Sequence, residues 1–322
     1  GGGMLIPRLV VAILAPELAV LGAGVACGQD YPNKPIRIIT SEAGGNADFM
    51  TRLIAQGVTG PLGQAVIVDN RPTPLIPEAV SKAPPDGYTL VLLGNSFWIG
   101  PLLRNTPYDP VRDFSAITAG SNSPNIIVVH PSLPVKSVKE LIALAKARPG
   151  ELNYAVASIG SSPHLAAELF KAMAGVKLVL VPFRGITQAT TSLMAGEVQV
   201  MIPSAGTVTP HVKSGRLRPL AVTSAQPSAL VPGLATVAAS GLPGYESVTI
   251  NGMFARAKTP GPVINRLSEE IARYLHTADV KEKFFNVGVE PVGGSPDQLA
   301  ATIKSEMARM GKVIKDAGIK AD

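Results

Sequence analysis

The stretch that decides the fold is IRIITSEAGGNADFMTRLIAQGV, Ile36 to Val58. Its first five residues form a short, mostly β-branched run with the length of a buried strand. A helical pattern begins near Asn46 or Ala47 and continues through MTRLIAQGV. Between the two lie Ser41, Glu42, Ala43, Gly44 and Gly45. Glycine builds no core and loses the most backbone freedom on folding, so an adjacent pair must serve conformation or access. Two readings are open here. One is a plain tight turn from strand to helix. The other is a turn where backbone approaches a ligand. In the second, the first N–H groups of the helix have no partner within it and carry the positive end of its dipole. Such a place accepts a carboxylate or a phosphate. Asp48 falls in the first helical turn, where its charge suits the dipole and its oxygens can hold loop N–H groups.

The same arrangement recurs further on. The strand LNYAVA (152–157) ends in SIGSS (158–162), and the helix PHLAAELF follows. Ser158, Gly160, Ser161, Ser162 and His164 supply the small, hydroxyl and ring groups of this second turn. Ser162 reads as the helix cap and Pro163 as the first helical residue. Ligands of α/β sheets sit beyond the carboxyl ends of strands, so two such turns, one per domain, would face one cleft.

Around these turns the chain alternates strands and helices. Further strands are expected at 65–70, 88–94, 125–130, 177–183, 198–203 and 217–224, with another at TINGMFA. Most are continuous Val/Ile/Leu runs, as in strands buried on both faces. Helices are expected after Ser137, which with Glu140 has the spacing of a capping box, and after Ser162. Shorter ones are expected at 187–197 and 207–215, and three more close the chain from Pro260 onward. This rhythm predicts an α/β fold with mainly parallel sheets, built as two Rossmann-like domains with a ligand cleft between them. The expected division is 29–128 plus 253–322 for the first domain and 129–252 for the second. The closing helices are expected to lack strands of their own and to cover the first sheet.

Composition narrows the partners. With 46% hydrophobic and 16% charged residues, a chain of 322 residues is globular rather than disordered. The net charge of +6 is spread without clusters, and aromatics are 5%, so no nucleic-acid partner is expected. A mild positive field favours an anionic ligand. Near the start, Arg8 precedes an apolar run and small residues at Ala26-Cys27-Gly28, the pattern of a signal peptide over 1–28. Glu17 inside the run counts against a membrane anchor. Cys27 is the only cysteine, and lipid anchoring there ranks second because Gly24 stands where a larger aliphatic is expected. An exported, periplasmic monomer is the expectation.

Catalytic readings are weaker. AGGNADF lacks the Lys-Ser/Thr ending of a phosphate loop, and GxGxxG is absent. Ser161, Ser162 and His164 invite a hydrolase reading, but GSSPH has no nucleophile elbow, and His164 is expected to hold the loop or touch ligand. His130, His164, His211 and His276 lie far apart, so neither metal nor cofactor is expected. Phe183-Arg184 could bring an aromatic and a cation to the cleft, although a surface Arg explains it as well.

In order along the chain come YPNKPIRII, AGG with Asp48 and Arg52, LGQAVIVDNRP, PDGYTL, TPYDPVRDF, ELIALAKARPGELNYA, GSSPHLAAELFKAMAG, VPFRG, GRLRPLAVTS and LPGYES. Together they resemble the Bug-type solute-binding proteins of tripartite tricarboxylate transporters, over essentially the whole chain after the signal segment. The resemblance implies a periplasmic receptor of two α/β domains that closes on a small organic anion and delivers it to membrane transporter subunits. A sensing role beside a two-component system is the further alternative. It also implies that ligand carboxylates are held by backbone N–H groups and water from Ser41 to Asp48 and from Ser158 to His164. The turn Gly94 to Phe97, with Asn95 and Ser96, would flank the pocket. The chain departs from the pattern at Thr40-Ser41-Glu42, where Pro and an aromatic are usual. It departs again at TPLIPEAV after NRP, at Phe183-Arg184 in place of Tyr-Lys, and at Met310 in place of Trp. Glu42 either points outward or biases the pocket toward a ligand with an amine or fewer charges.

Overall fold

Ile36, Ile38 and Ile39 are fully buried and draw β1 (Ile36–Thr40) into a sheet. The chain then forms α1 (Asn46–Leu62), β2 (Val66–Asn70), α2 (Ile76–Ser81), β3 (Thr89–Gly94), α3 (Ser96–Leu103) and β4 (Phe114–Pro124). A second series follows: β5 (Ile126–Val129), α4 (Val138–Ala147), β6 (Asn153–Val156), α5 (Ser162–Ala174), β7 (Val179–Pro182), α6 (Ile186–Met194), β8 (Val200–Met201), α7 (Ala205–Lys213) and β9 (Arg218–Val222). The last elements are β10 (Val248–Arg256), α8 (Gly261–Leu275), α9 (Ala278–Asn286), β11 (Glu290–Gly293) and α10 (Pro296–Ala317). This computed structural model describes Gly2 and residues 31–319 apart from 42, 45 and 158. The expectations for the signal segment, Cys27, Glu42, Gly45 and Ser158 therefore lie outside the described residues. No helix among the described residues is long and apolar enough to cross a membrane.

Two sheets organise the chain. The first has the order β11-β4-β10-β3-β1-β2, the second β7-β6-β8-β5-β9. β1 runs parallel to β2 and β3, and β6 runs parallel to β7 and β8. These parallel cores set the two strand-to-helix turns. The other pairings correct the expectation of mainly parallel sheets. β10 is antiparallel to β3 and β4, β11 to β4, and β5 to β8 and β9. The first sheet is mixed because β10, where the chain returns to it, runs against β3 and β4, and the second because β5, where the chain enters it, runs against β8 and β9.

α8 and α10 lie against β4, as expected of helices that cover the first sheet. The closing helices do not lack strands, however: β11 lies between α9 and α10 at the sheet edge. α1 meets α8 through Gly57, where a Cβ would stand 2.1 Å from the Tyr274 ring. Only glycine allows those two helices to approach so closely. Beneath α3, Phe97 packs edge-on against Phe114 and Phe254 with ring centroids 4.8 and 5.1 Å away, which anchors the end of β3.

The chain crosses between sheets at Asn125 and again before Val248, with β5 in the second sheet and all of β10 in the first. The two crossings are stitched together. Asn125 N–H donates to Thr223 Oγ1 at 2.8 Å, and Thr223 N–H donates back to Asn125 O at 3.0 Å. Ser247 N–H donates to Thr223 O at 2.9 Å. The two connections therefore lie side by side and are bonded to each other.

Candidate functional site

In the first turn the strand ends at Thr40 and α1 starts at Asn46. Gly44 has φ +89°, a conformation that side chains rarely adopt, and open space where a Cβ would stand. Its N–H donates to Asp48 Oδ2 at 3.0 Å. Asp48 Oδ1 accepts from Asn70 Nδ2 at 2.8 Å and pairs with Arg52 Nε at 2.9 Å. Asn70 Nδ2 also donates to Ser41 O at 2.7 Å. Asp48, 5% exposed, is thus the post around which the turn is wound. Burial pushes its carboxyl upward, but the Gly44 N–H, Asn70 and Arg52 together outweigh that and hold it below the ordinary 3.8. Asp48 is ionised, and its oxygens are spent on the loop.

The second turn has the same plan with other side chains. Gly160 has φ +78°, and its N–H donates to His164 Nδ1 at 3.0 Å. Ser161 caps α5 by accepting from the His164 N–H at 3.5 Å, so the cap lies one residue before the expected Ser162. Pro163 therefore takes the second helical position. His164 is 2% exposed. Burial lowers its affinity for a proton, against a partial rise from Glu168. With Nδ1 accepting from Gly160, the neutral ring carries its proton on Nε2, 3.9 Å from Glu168 Oε1. Glu168 in turn accepts from Lys171 Nζ at 2.6 Å and from the Tyr154 hydroxyl. The lone pair left on the neutral ring, at Nδ1, is thus taken by a backbone amide. Ser162 Oγ accepts from Thr249 Oγ1 at 3.1 Å, a contact that carries the start of α5 onto β10.

A cavity of about 170 Å³ opens at the start of α1, and none of the described residues of the α5 turn lines it. Asn46, Ala47 and Met50 of α1 line one side, and Ser123, Thr249 and Asn251 of the crossing strands line the floor. Ser204 and Gly206, at the start of α7, line the other side with Gly288 and Val289. α7 begins at Ala205, not at the expected Thr207, so its start joins that of α1 at the cavity. The signal is present in the sequence, because a strand followed by PSAGT repeats the pattern of the other two turns. Gly206 and Gly288 bring the two lobes into backbone contact. A Cβ on Gly288 would lie 2.3 Å from Gly206 Cα, and one on Gly206 would lie 2.9 Å from Val287 O. Beside Ser204, across an isolated bridge, Asn125 is fully buried, with neither side-chain atom hydrogen-bonded among the described residues.

Other residues expected near the pocket stand elsewhere. Asn95 does not flank it: its amide turns toward α10, donating to Glu306 Oε1 at 2.9 Å and to Val248 O at 3.2 Å. A buried carboxyl needs donors, and Asn95 and Trp98 supply them. Ser96 is exposed at the first residue of α3 and does not line the cavity. Phe183 packs on the second core, and Arg184 is exposed, a surface arginine. Among the described residues no cluster of His, Cys, Asp and Glu could hold a metal ion.

Mixed sheets, two bonded crossings and helix starts around a small cavity define the two-lobed α/β class of solute-binding receptors. The family model described as "Tripartite tricarboxylate transporter family receptor" matches residues 50–319, and the chain belongs to that family. BugT of Bordetella pertussis is 32% identical over 319 residues, covering 97% of this chain and 98% of BugT. Rpa4515 of R. palustris, solved with adipate, is 35% identical with a TM-score of 0.75, over 90% of this chain and 99% of that one. A TctC solute binding protein from Polaromonas, solved without ligand, is 26% identical with a TM-score of 0.81, over 89% and 99%.

Proposed function

We propose that this protein captures a small organic carboxylate between its lobes, in the periplasm, and presents it to the membrane subunits of a tripartite tricarboxylate transporter. The observation that carries the reading is the cavity of about 170 Å³ onto which the starts of α1 and α7 open, with the start of α5 tied to its floor through Thr249. Helix starts offer unpaired N–H groups and positive dipole ends, so an anion is the guest they suit. The cavity is smaller than the roughly 300–1,000 Å³ of drug-sized ligand sites, which favours a short-chain acid. The adipate held by the relative Rpa4515 is of that chemical kind. In this reading the lobes are the two sheets with their helices, and the guest shifts an open–closed balance about Asn125, Thr223 and Ser247.

In this reading the guest meets the backbone N–H groups of Asn46, Ala47, Ser204 and Gly206, which line the cavity, and on closure of the lobes those of the turns Ser41–Asp48 and Ser158–His164. Asp48 and His164 shape their turns rather than bind charge. Glu42 would disfavour a multiply charged acid through like-charge repulsion. The test is a thermal-shift screen of mono- and dicarboxylates of three to eight carbons, followed by calorimetry. At least one acid should raise the melting midpoint and bind one to one. Gly206→Val should weaken that binding tenfold or more, because it holds the lobes apart. If no acid shifts the midpoint, or Gly206→Val binds like the parent, the reading fails.

A further inference from the structure

On another face a groove of about 980 Å³ runs between α5 and α10, one wall from each lobe. Its floor is apolar: Leu169, Val176 and Val313, with Met173 left 39% exposed. Its rim carries four cations, Lys171, Lys177, Arg309 and Lys312, against two carboxylates, Glu168 and Asp316. Lys312 pairs with Asp316 at 3.0 Å and Lys171 with Glu168 at 2.6 Å. Lys177 has no ion pair among the described residues. Arg309 reaches only Glu246, at 3.4 Å, and its buried Nε has no hydrogen-bond partner among the described residues. Surplus positive charge above an apolar floor is complementary to a molecule with an apolar tail and one negative head.

The rim also connects to the second turn. Lys171 holds Glu168, whose carboxylate faces His164 Nε2, and His164 Nδ1 holds the Gly160 N–H. An anion that draws Lys171 toward itself loosens Glu168 and changes what His164 feels. We propose that the α5–α10 groove is an effector site for an amphiphilic carboxylate, whose head engages Lys177 and Arg309 and whose occupancy reaches Gly160 through Lys171, Glu168 and His164. The site does not depend on what the central cavity binds.

The experiment titrates the isotope-labelled protein with octanoate, using 1-octanol and acetate as controls and calorimetry for affinity. Octanoate binds saturably, at least tenfold more tightly than either control, and the Gly160 amide resonance moves with occupancy. Ala172→Trp, which fills the groove from an exposed position, abolishes this binding, and the Lys177→Glu/Lys312→Glu double variant weakens it tenfold or more. Octanoate binding that survives Ala172→Trp, or that ignores the charge reversals, overturns the site. A Gly160 resonance that stays still at saturation overturns the effector role.

Discussion

The turns at Gly44 and Gly160 solve one backbone problem with acceptors of different charge. In each, a glycine at positive φ points its N–H at the side chain four residues on, in the first turn of the helix. In each, that side chain meets a partner a further four residues on, Arg52 or Glu168. The first acceptor is an ionised carboxylate backed by a cation. The second is a neutral imidazole facing a carboxylate. The shared element is therefore the geometry of the turn, and the acceptor's charge is free to vary. That is what a site built on backbone N–H groups and helix dipoles should allow, because the acceptor supports the loop and the loop binds the guest.

The largest break in this comparison is His164→Ala. It leaves the Gly160 N–H without its acceptor, opens a void and strips Glu168 of its neighbour. Loss of a buried hydrogen bond together with a cavity should cost about 2–4 kcal/mol of stability. Equilibrium denaturation reads this, and carboxylate affinity should fall at least tenfold. Asp48→Ala comes next. It removes an acceptor for Gly44 and Asn70, but Arg52 is half in solvent and can rehydrate. A cost of about 1–3 kcal/mol fits a lost charged hydrogen-bond set. Should the melting midpoint and the affinity both stay at parent values, Asp48 does not hold the turn. Gly44→Val is smaller in stability, about 1–2 kcal/mol, since a Cβ there meets no atom and only the positive φ is penalised. Its effect should fall mainly on affinity, and unaltered binding would place the guest away from this turn.

How much of this is legible in the sequence depends on where each signal lies. β1, α1 and α5 are readable because isoleucine runs, caps and glycine stops are local. β4 is not: FSAITAGSNSP is rich in small polar residues that look like loop, and it becomes a strand only by pairing along its length with β10. β11 is a four-residue edge strand containing Pro and Gly. α3 contains Pro101 and hides in a passage that reads as a connection. At the site, the hold of Asp48 on its loop follows from its place in the first helical turn. The role of Asn95 does not, because its partner Glu306 lies 211 residues away. The contact of Gly206 with Gly288 is likewise tertiary, and no local pattern announces it.

The smallest effect is the most discriminating, because it separates the two acceptors by pH. The proton affinity of His164 is lowered on folding, so the folded protein binds fewer protons there than the unfolded chain. Its stabilising contribution is fully present above the ordinary 6.5 and is lost as pH falls through the lowered folded value. The affinity of Asp48 is also lowered, so its contribution is present above 3.8 and is lost only in stronger acid. The buried carboxyl of Glu306 works the other way. Burial raises it above 4.5 despite the Asn95 and Trp98 hydrogen bonds, so its contribution is present below 4.5 and is lost as pH rises through the folded value. Absolute stability at one pH therefore mixes these contributions, whereas differences between variants isolate them. Relative to the parent, His164→Gln should flatten the stability curve just below pH 6.5 and leave the region under pH 3.8 unchanged. Asp48→Asn should do the reverse. If both variants alter the same pH interval, the two turns are not held by a carboxylate and an imidazole that titrate separately, and the comparison between them fails.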